Sequence, residues 1–253
     1  MRMENLQGKT ALVTGAAKRI GYKIALALAD EGANVAVHYR NSREEAEKLC
    51  AEIDRRGVKS WPVKADFEKP EEYEKFMEKV WETAGSVDIL INNSSIFPKN
   101  TLSNMDFTSV RRNFEVNAWV PLVLSRDFAR LAGIGKIINI IDSRIWQNDR
   151  THAAYILSKH LLWTLTRMTA VEFAPGITVN AVAPGLILPS EGMDHSRLDE
   201  LAKTVPLKRH GDPDEIADAV IYLLKSSFLT GVVIQVDGGL HLMEYRNGPH
   251  SDS

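Results

Sequence analysis

Residues 10–21 read TALVTGAAKRIG and indicate the class of fold. Thr10–Thr14 is short, largely apolar and followed by a glycine, which is typical of a buried strand. Gly15 and Gly21 permit a tight turn, and apolar side chains then recur at helical spacing as far as Asp30. A strand, a glycine loop and a helix in this order predict a parallel α/β sheet. They also predict an anion-binding loop at the carboxyl end of the first strand.

The same alternation continues along the chain. Six further segments are predicted to be strands: Asn34–His38, Ser60–Val63, Val87–Ile91, Lys136–Ile141, Ile177–Val182 and Val232–Val236. Helical periodicity is found in Ile20–Asp30, Ser42–Arg56, Pro70–Thr83, Ala153–Glu172 and Asp214–Leu224. Strand and helix in series predict a single-domain, doubly wound Rossmann fold over residues 1–253. Its seven-stranded parallel sheet should carry helices on both faces. Pro62 should sit at a sheet edge or a strand end, and residues 244–253 are expected to fray.

Composition excludes several classes of protein. The 253 residues are 44% hydrophobic and 25% charged, as in globular domains. Lys and Arg number 31 against 33 Asp and Glu, and this balance disfavours a nucleic-acid or membrane-surface protein. Cys50 is the single cysteine, so no internal disulfide can form and a reducing compartment is expected. No apolar run approaches the ~20 residues of a membrane span, and a cytoplasmic location is expected.

Further motifs follow the glycine loop in order. They are Asn92-Asn93, Asn117 within a helix, Tyr155-x-x-x-Lys159, Pro184-Gly185, Thr230-Gly231 and Asp237-Gly238-Gly239. With Thr14-Gly15 and Gly21, this series resembles the short-chain dehydrogenase/reductase family over almost the whole chain. The resemblance implies an oxidoreductase that binds a nicotinamide dinucleotide, acts on a small molecule and assembles as a homotetramer.

Two departures from the family pattern indicate which members of the family the chain resembles most. Arg19 stands where the middle glycine of the loop is usual, and Asp142 stands where most members carry the catalytic serine. Both features are similar to pteridine and dihydromonapterin reductases, and residues 222–242 resemble the bacterial dihydromonapterin type. This implies reduction of a C=N bond of a pterin or dihydropterin. The alternatives are a carbonyl reductase, such as a 3-oxoacyl-carrier-protein reductase, and a cofactor-binding regulator without turnover.

The end of the second predicted strand indicates the cofactor. An NAD site needs an acid there, but the chain has Tyr39 followed by Arg40, Asn41 and Ser42. Arg40 and Lys18 would meet the 2′-phosphate of NADP(H), although a solvated charged turn is the alternative. Asp66, after the third predicted strand, resembles the family residue that contacts the adenine edge of the cofactor. The candidate cofactor-binding residues are Gly15, Lys18, Arg19, Ile20, Gly21, His38, Tyr39, Arg40, Asn41, Ser42, Asp66, Asn92, Tyr155, Lys159, Pro184 and Gly185.

The predicted catalytic residues are Asp142, Tyr155, Lys159 and Asn117. Tyr155 and Lys159 lie four apart on one helical face, where the ammonium should lower the pKa of the phenol from its usual value near 10. Such a tyrosine could transfer a proton during hydride delivery. Read without the other motifs, the pair could be a solvated helix face. The resemblance gives Asn117 the role of ordering a proton-relay water.

Asp142 is the position that should decide the substrate. Burial and a nearby phenolate are expected to keep it partly protonated, so that it could donate to a ring nitrogen or bind an aminopyrimidine edge. The alternative is an exposed loop carboxylate, with Ser143 acting as the family's serine. Asn139-Ile140-Ile141-Asp142 aligns with the family's Asn-x-x-Ser without a gap, which favours Asp142.

Other candidate substrate contacts are Arg19, Ser95, Phe97 and Tyr155. Phe97 would stack a flat ring against the nicotinamide and Ser95 would bind its edge, with a core or loop aromatic as the alternative for Phe97. Arg19 could reach both pyrophosphate and substrate. Residues 186–205 read as a lid whose contacts the sequence does not assign. The histidines at 152, 160, 210 and 241 lack metal-ligand spacing, so no metal is expected.

Overall fold

The computed structural model describes residues 5–147, 149–189 and 194–243. Within these residues one sheet of seven parallel strands runs in the order β3-β2-β1-β4-β5-β6-β7. The strands are β1 (Thr10–Val13), β2 (Asn34–Tyr39), β3 (Ser60–Lys64), β4 (Ile89–Asn92), β5 (Gly135–Ile140), β6 (Ile177–Pro184) and β7 (Val233–Val236). The predicted doubly wound sheet is confirmed, and Pro62 lies in the edge strand β3. The tail at 244–253 and part of the expected lid, 190–193, fall outside the described residues.

Helices cover both faces of the sheet. They are α1 (Arg19–Asp30), α2 (Arg43–Asp54), α3 (Pro70–Tyr73), α4 (Phe76–Ala84), α5 (Phe107–Phe114), α6 (Val120–Ala132), α7 (Ala153–Glu172), α8 (His195–Ala202) and α9 (Pro213–Lys225). A single helix over Pro70–Thr83 was wrong, because Lys75 leaves the helical region at φ −107°, ψ 4° and separates α3 from α4. The predicted set of helices also lacked α5, α6 and α8.

Alternate residues of each strand enter two different cores. Val13, Val37 and Ile91 pack with α1, α2 and α9, whereas Leu12 and Leu90 pack with α4, α6 and α7 on the opposite face. The inner strands β1, β2, β4, β5 and β6 are therefore buried at consecutive positions, as parallel strands covered on both sides must be, whereas the edge strands β3 and β7 are not. Side-chain caps mark the starts of α5 and α9. The strongest is a capping box at α9, where Asp212 accepts from the backbone of Asp214 at 2.9 Å.

The strand order reverses direction between β1 and β4. Ligands of doubly wound sheets bind in the crevice that opens at the carboxyl ends of the strands at such a point. The glycine loop follows β1 there, and Asn93 and Ser94 follow β4. Among the described residues no helix is long and apolar enough to cross a bilayer.

Candidate active site

The glycine loop closes tightly on the end of β4. Gly15 has φ +62°, a left-handed conformation that glycine adopts without strain. A Cβ on Gly21 would overlap the carbonyl oxygen of Gly15 and lie 2.6 Å from the side-chain amide of Asn93. Thr14 Oγ1 accepts from the backbone N–H groups of Asn93 and Ser94 at 2.8 and 3.0 Å. Helix α1 can therefore start in contact with the loop only because Gly21 has no side chain.

The start of α1 is suited to an anion. Lys18, which precedes the helix, forms no side-chain cap within the described chain, so the first-turn N–H groups of Arg19, Ile20 and Gly21 keep their affinity for negative charge. Arg19 has φ +60°, which costs an L residue about 1–2 kcal/mol. Its guanidinium donates to the carbonyl oxygen of Pro189 at 2.8 Å. The arginine thus links the loop to the segment after β6.

His38, near the end of β2, supports the glycine loop through a hydrogen bond to Gly15. Its Nδ1 accepts from the backbone N–H of Gly15 at 2.9 Å, and its Nε2 lies 3.1 Å from the carbonyl oxygen of Ala65. These contacts require a neutral ring with the proton on Nε2. Burial lowers the pKa of His38 to about 4. Phe67 stacks on the ring at a centroid distance of 4.1 Å. His38 therefore holds the loop and is itself buried.

Of the two cations predicted to meet a 2′-phosphate, Arg40 lines a cavity beside the loop and Lys18 does not. Arg40, Asp66 and Glu68 line it with Ser95 and Ile96. Arg40 Nη1 is 2.6 Å from Glu68 Oε1 and 3.9 Å from Asp66 Oδ1.

In the folded chain an acid approaches each of these two cations. Lys18 pairs with Glu45 at 2.8 Å, and Glu68 reaches Arg40 from the segment after β3. Tyr39 is buried, Asn41 is exposed, and Ser42 precedes α2.

Asn92 and Asn93 have different roles. The Asn92 side chain is buried in the sheet, where Nδ2 donates to Asn139 Oδ1 at 2.8 Å, and its Oδ1 has no hydrogen-bond partner in the described part of the chain. The Asn93 side chain donates to the carbonyl oxygens of Thr14 and Gly15 at 2.8 and 3.2 Å. Asn93 therefore supports the glycine loop, whereas the predicted cofactor contact, Asn92, points its amide into the core.

Tyr155 and Asp142 meet directly. The Tyr155 hydroxyl donates to Asp142 Oδ2 at 2.7 Å. The side chain of Ser143 is completely buried, and its Oγ lacks a hydrogen-bond partner among the residues described. The structure thus places Asp142, and not Ser143, against Tyr155.

The sequence reasoning missed Arg144, which holds Asp142 from the other side. The backbone N–H and Nε of Arg144 donate to Asp142 Oδ1 at 2.8 and 3.2 Å, and Nη2 donates to Oδ2 at 2.9 Å. With the hydroxyl of Tyr155, four donors occupy the roughly four acceptor sites of the carboxylate. Asp142 is the acceptor in all four of these bonds, and its donation to a substrate stays a prediction.

Lys159 is buried one helical turn after Tyr155. Its Nζ donates to the carbonyl oxygen of Ile140 at 2.8 Å and lies 5.7 Å from the centre of the Tyr155 ring. Burial lowers the pKa of Lys159 to about 8, against the opposing effect of Asp142. Burial and then the charge of Asp142 raise the pKa of Tyr155, so the predicted lowering by Lys159 was wrong. Tyr155 is therefore a phenol that can donate a proton.

A single π-helical turn, Glu115–Trp119, places Asn117 under the loop after β4. Asn117 Oδ1 accepts from the backbone N–H of Ile96 at 2.9 Å and from Ser95 Oγ at 3.1 Å. Its Nδ2 donates to Ile96 O and to Ser158 Oγ, both at 3.0 Å. Asn117 thus fixes the Ser95–Ile96 backbone to α7. Ser95 faces Asn117 and the cavity that Arg40 lines.

Phe97 lies beside Tyr155 at a ring distance of 4.6 Å, but its faces are already covered. His152 stacks on it at 3.9 Å, and the guanidinium of Arg144 lies 4.5 Å from the ring centre. A flat substrate can stack on Phe97 only if one of these neighbours moves. Asp149 holds the neighbours in place, because its Oδ2 is 3.2 Å from His152 Nδ1 and 3.5 Å from Arg144 Nη1.

The last predicted contacts follow β6. A Cβ on Gly185 would lie 2.6 Å from Asp237, and the N–H of Gly185 donates to Val236 at 3.0 Å, so Pro184-Gly185 packs closely against the end of β7. No group of three or more potential metal ligands forms among the described residues. The glycine loop and the first turn of α1 fit the phosphates of a dinucleotide, and the cavity beside them carries Arg40.

A family model described as enoyl-(acyl carrier protein) reductase matches residues 15–241. A 3-oxoacyl-[acyl-carrier-protein] reductase, FabG, of Staphylococcus epidermidis is 36% identical over 247 residues, which cover 92% of this chain and 99% of the relative. The chain belongs to the short-chain dehydrogenase/reductase family. Membership and the prediction of an oxidoreductase are thereby confirmed.

Two solved structures superpose closely on this chain. FolM alternative dihydrofolate reductase 1 from Brucella canis, complexed with NADP, has a TM-score of 0.91 and 32% identity, covering 98% of this chain and 99% of that protein. A blue fluorescent protein from a metagenomic library, in complex with NADPH, has a TM-score of 0.87 and 32% identity, covering 93% and 99%. The cytoplasmic location and the tetramer remain predictions.

Proposed function

We propose that the chain is an NADPH-dependent reductase that delivers hydride to a C=N bond of a pterin or dihydropterin. The observation that carries the substrate is the 2.7 Å hydrogen bond from Tyr155 to Asp142, where the generic reductases of the family present a serine. Likeness to a protein named an alternative dihydrofolate reductase supports the same proposal.

The cofactor would lie across the carboxyl ends of the strands. The first turn of α1 and Arg19 would hold the pyrophosphate, and the cavity lined by Arg40 and Asp66 would hold the adenosine 2′-phosphate. Lys159 would hold the nicotinamide ribose. When bound, NADPH supplies the hydride.

The proton would come from Tyr155. Its raised pKa keeps the hydroxyl protonated at neutral pH, as reduction requires of an acid. To reach a substrate nitrogen, the hydroxyl must turn away from Asp142 Oδ2. This frees one acceptor site on a carboxylate that Arg144 keeps in position. The freed site can accept from a ring N–H or an exocyclic amino group of the substrate. A serine hydroxyl offers less acceptor capacity and no charge.

Reduction of a 3-oxoacyl thioester is the second candidate. It is favoured by the 36% identity to FabG, which exceeds the 32% identity to FolM. A carbonyl oxygen needs a donor and no acceptor, so this reaction would leave the freed site of Asp142 unused.

Oxidation of NADPH, followed at 340 nm with a panel of substrates, separates the two candidates. The panel is dihydrobiopterin, dihydromonapterin, dihydrofolate and an acetoacetyl thioester, and NADH replaces NADPH in a parallel series. We expect the highest kcat/KM with a dihydropterin and NADPH. Turnover of the thioester alone would instead establish the carbonyl reductase.

A further inference from the structure

Glu68 lies between two arginines at the cavity proposed for the 2′-phosphate. Its Oε1 accepts from Arg40 Nη1 at 2.6 Å and from Arg112 Nη2 at 2.7 Å, and its Oε2 accepts from Arg112 Nε at 2.9 Å. Arg112 therefore makes the two-bond fork with the carboxylate, whereas Arg40 shares a single oxygen. This planar bidentate geometry is the stronger of the two pairings.

The two arginines reach Glu68 from different elements. Arg40 follows β2, and Arg112 lies in the last turn of α5, directly before the π-helical turn that carries Asn117. Glu68 and Arg40 line the cavity, but Arg112 does not. Arg112, followed by Arg40, holds the pKa of Glu68 below its usual range.

An acid at this place opposes a phosphate. A carboxylate that faces the adenosine ribose selects the 2′-hydroxyl of NAD, because it accepts from the hydroxyl and repels a phosphate. Without a second cation, Glu68 would be such an acid and would also neutralise Arg40.

We propose that Arg112 is a specificity-determining positioning residue that makes the cavity select a 2′-phosphorylated nucleotide. It neutralises Glu68 through the bidentate pair, so Arg40 can exchange its contact with Glu68 for the phosphate. Arg112 acts through Glu68 and does not touch the nucleotide. The inference rests on the proposed use of NADPH and adds the residue that sets the preference.

Calorimetric binding of two nucleotides to the full chain tests this role without turnover. Adenosine 2′,5′-bisphosphate and 5′-AMP differ only in the 2′-phosphate. R112M should weaken the binding of the bisphosphate about three- to tenfold, the range for loss of a partly exposed charge. It should change the binding of 5′-AMP less than twofold. R112K should weaken the binding of the bisphosphate less than R112M does. R130M, which removes the exposed ion pair between Arg130 on α6 and Glu78 on α4, should change the binding of neither nucleotide.

E68Q separates an indirect role from a direct one. In the E68Q background, R112M should have no further effect on the bisphosphate, because no charge is left for Arg112 to neutralise. An equal loss of bisphosphate affinity in both backgrounds would show that Arg112 contacts the phosphate and would overturn the proposal. An unchanged bisphosphate affinity in R112M would also overturn it. If the unsubstituted protein bound both nucleotides equally, the proposed use of NADPH would fail and the role of Arg112 with it.

Discussion

Mild acid should destabilise the fold through His38. The folded protein holds this ring neutral with a pKa of about 4, against 6.5 for an unperturbed histidine. Because the folded-state pKa is the lower one, the unfolded chain takes up the proton first as the pH falls. The stabilisation is therefore complete above pH 6.5 and is lost as the pH falls towards 4. At 1.36 kcal/mol per pKa unit the full loss is about 3 kcal/mol, of which about 2 kcal/mol appears between pH 7 and pH 5.

Urea unfolding, followed by tryptophan fluorescence at pH 7, 6 and 5, measures this loss. His38→Gln has no titrating ring, so it should be less stable at pH 7 but should lose about 2 kcal/mol less than the unsubstituted protein between pH 7 and pH 5. The same comparison removes the contribution of surface carboxylates, which both proteins share. Parallel losses in the two proteins would refute the neutral, loop-holding role of His38.

Three further predictions concern the loop and the reacting groups. Tyr155→Phe should lower kcat by ~10²–10⁴-fold while NADPH binding, measured by fluorescence, changes less than twofold; retention of half the activity would place the proton donor elsewhere. Gly21→Ala should abolish nucleotide binding with an unchanged far-UV circular dichroism spectrum, because its Cβ meets Gly15; tight binding would contradict the close-packed loop. The lowered pKa of Lys159 predicts that kcat is highest below pH 8 and falls above it, as the ammonium loses its proton; a profile flat to pH 9.5 would contradict this.

The inner strands of the sheet could be predicted from sequence because they are mostly apolar and are bounded by turn residues. Helix α7 was also predicted from sequence, and its predicted and observed bounds coincide at Ala153–Glu172. Helix α5 was missed because FTSVRRNF is mostly polar and presents only Asn113 as a fully buried side chain. Tertiary packing and the cap from Asp106 to Ser109, at 2.8 Å, form that helix despite its weak apolar pattern.

The partners of the charged site residues could not be predicted. Glu68 lies 28 residues after Arg40, and only the pairing of β2 with β3 brings the segments that follow them together. Arg144 is two residues from Asp142, so the sequence does place a cation near this carboxylate. The 3-10 turn that starts at Ser143 is what folds the guanidinium back onto the carboxylate. Motifs identify which residues meet a ligand, whereas charge compensation depends on the folded chain.

Asp142 is proposed to make this reductase select a pterin-like ring, and a ratio of two catalytic efficiencies measures that selection. The kcat/KM for a dihydropterin is divided by that for an acetoacetyl thioester in the unsubstituted protein, in Asp142→Ser and in Asp142→Asn. Both changes remove the charged acceptor, and Asp142→Asn keeps its shape. We expect each to lower the dihydropterin efficiency by ~10–10³-fold, or about 1.4–4 kcal/mol, with a much smaller effect on the thioester. The ratio should therefore fall at least tenfold in both variants. A ratio that stays constant across the three proteins would contradict the claim and favour the carbonyl reductase.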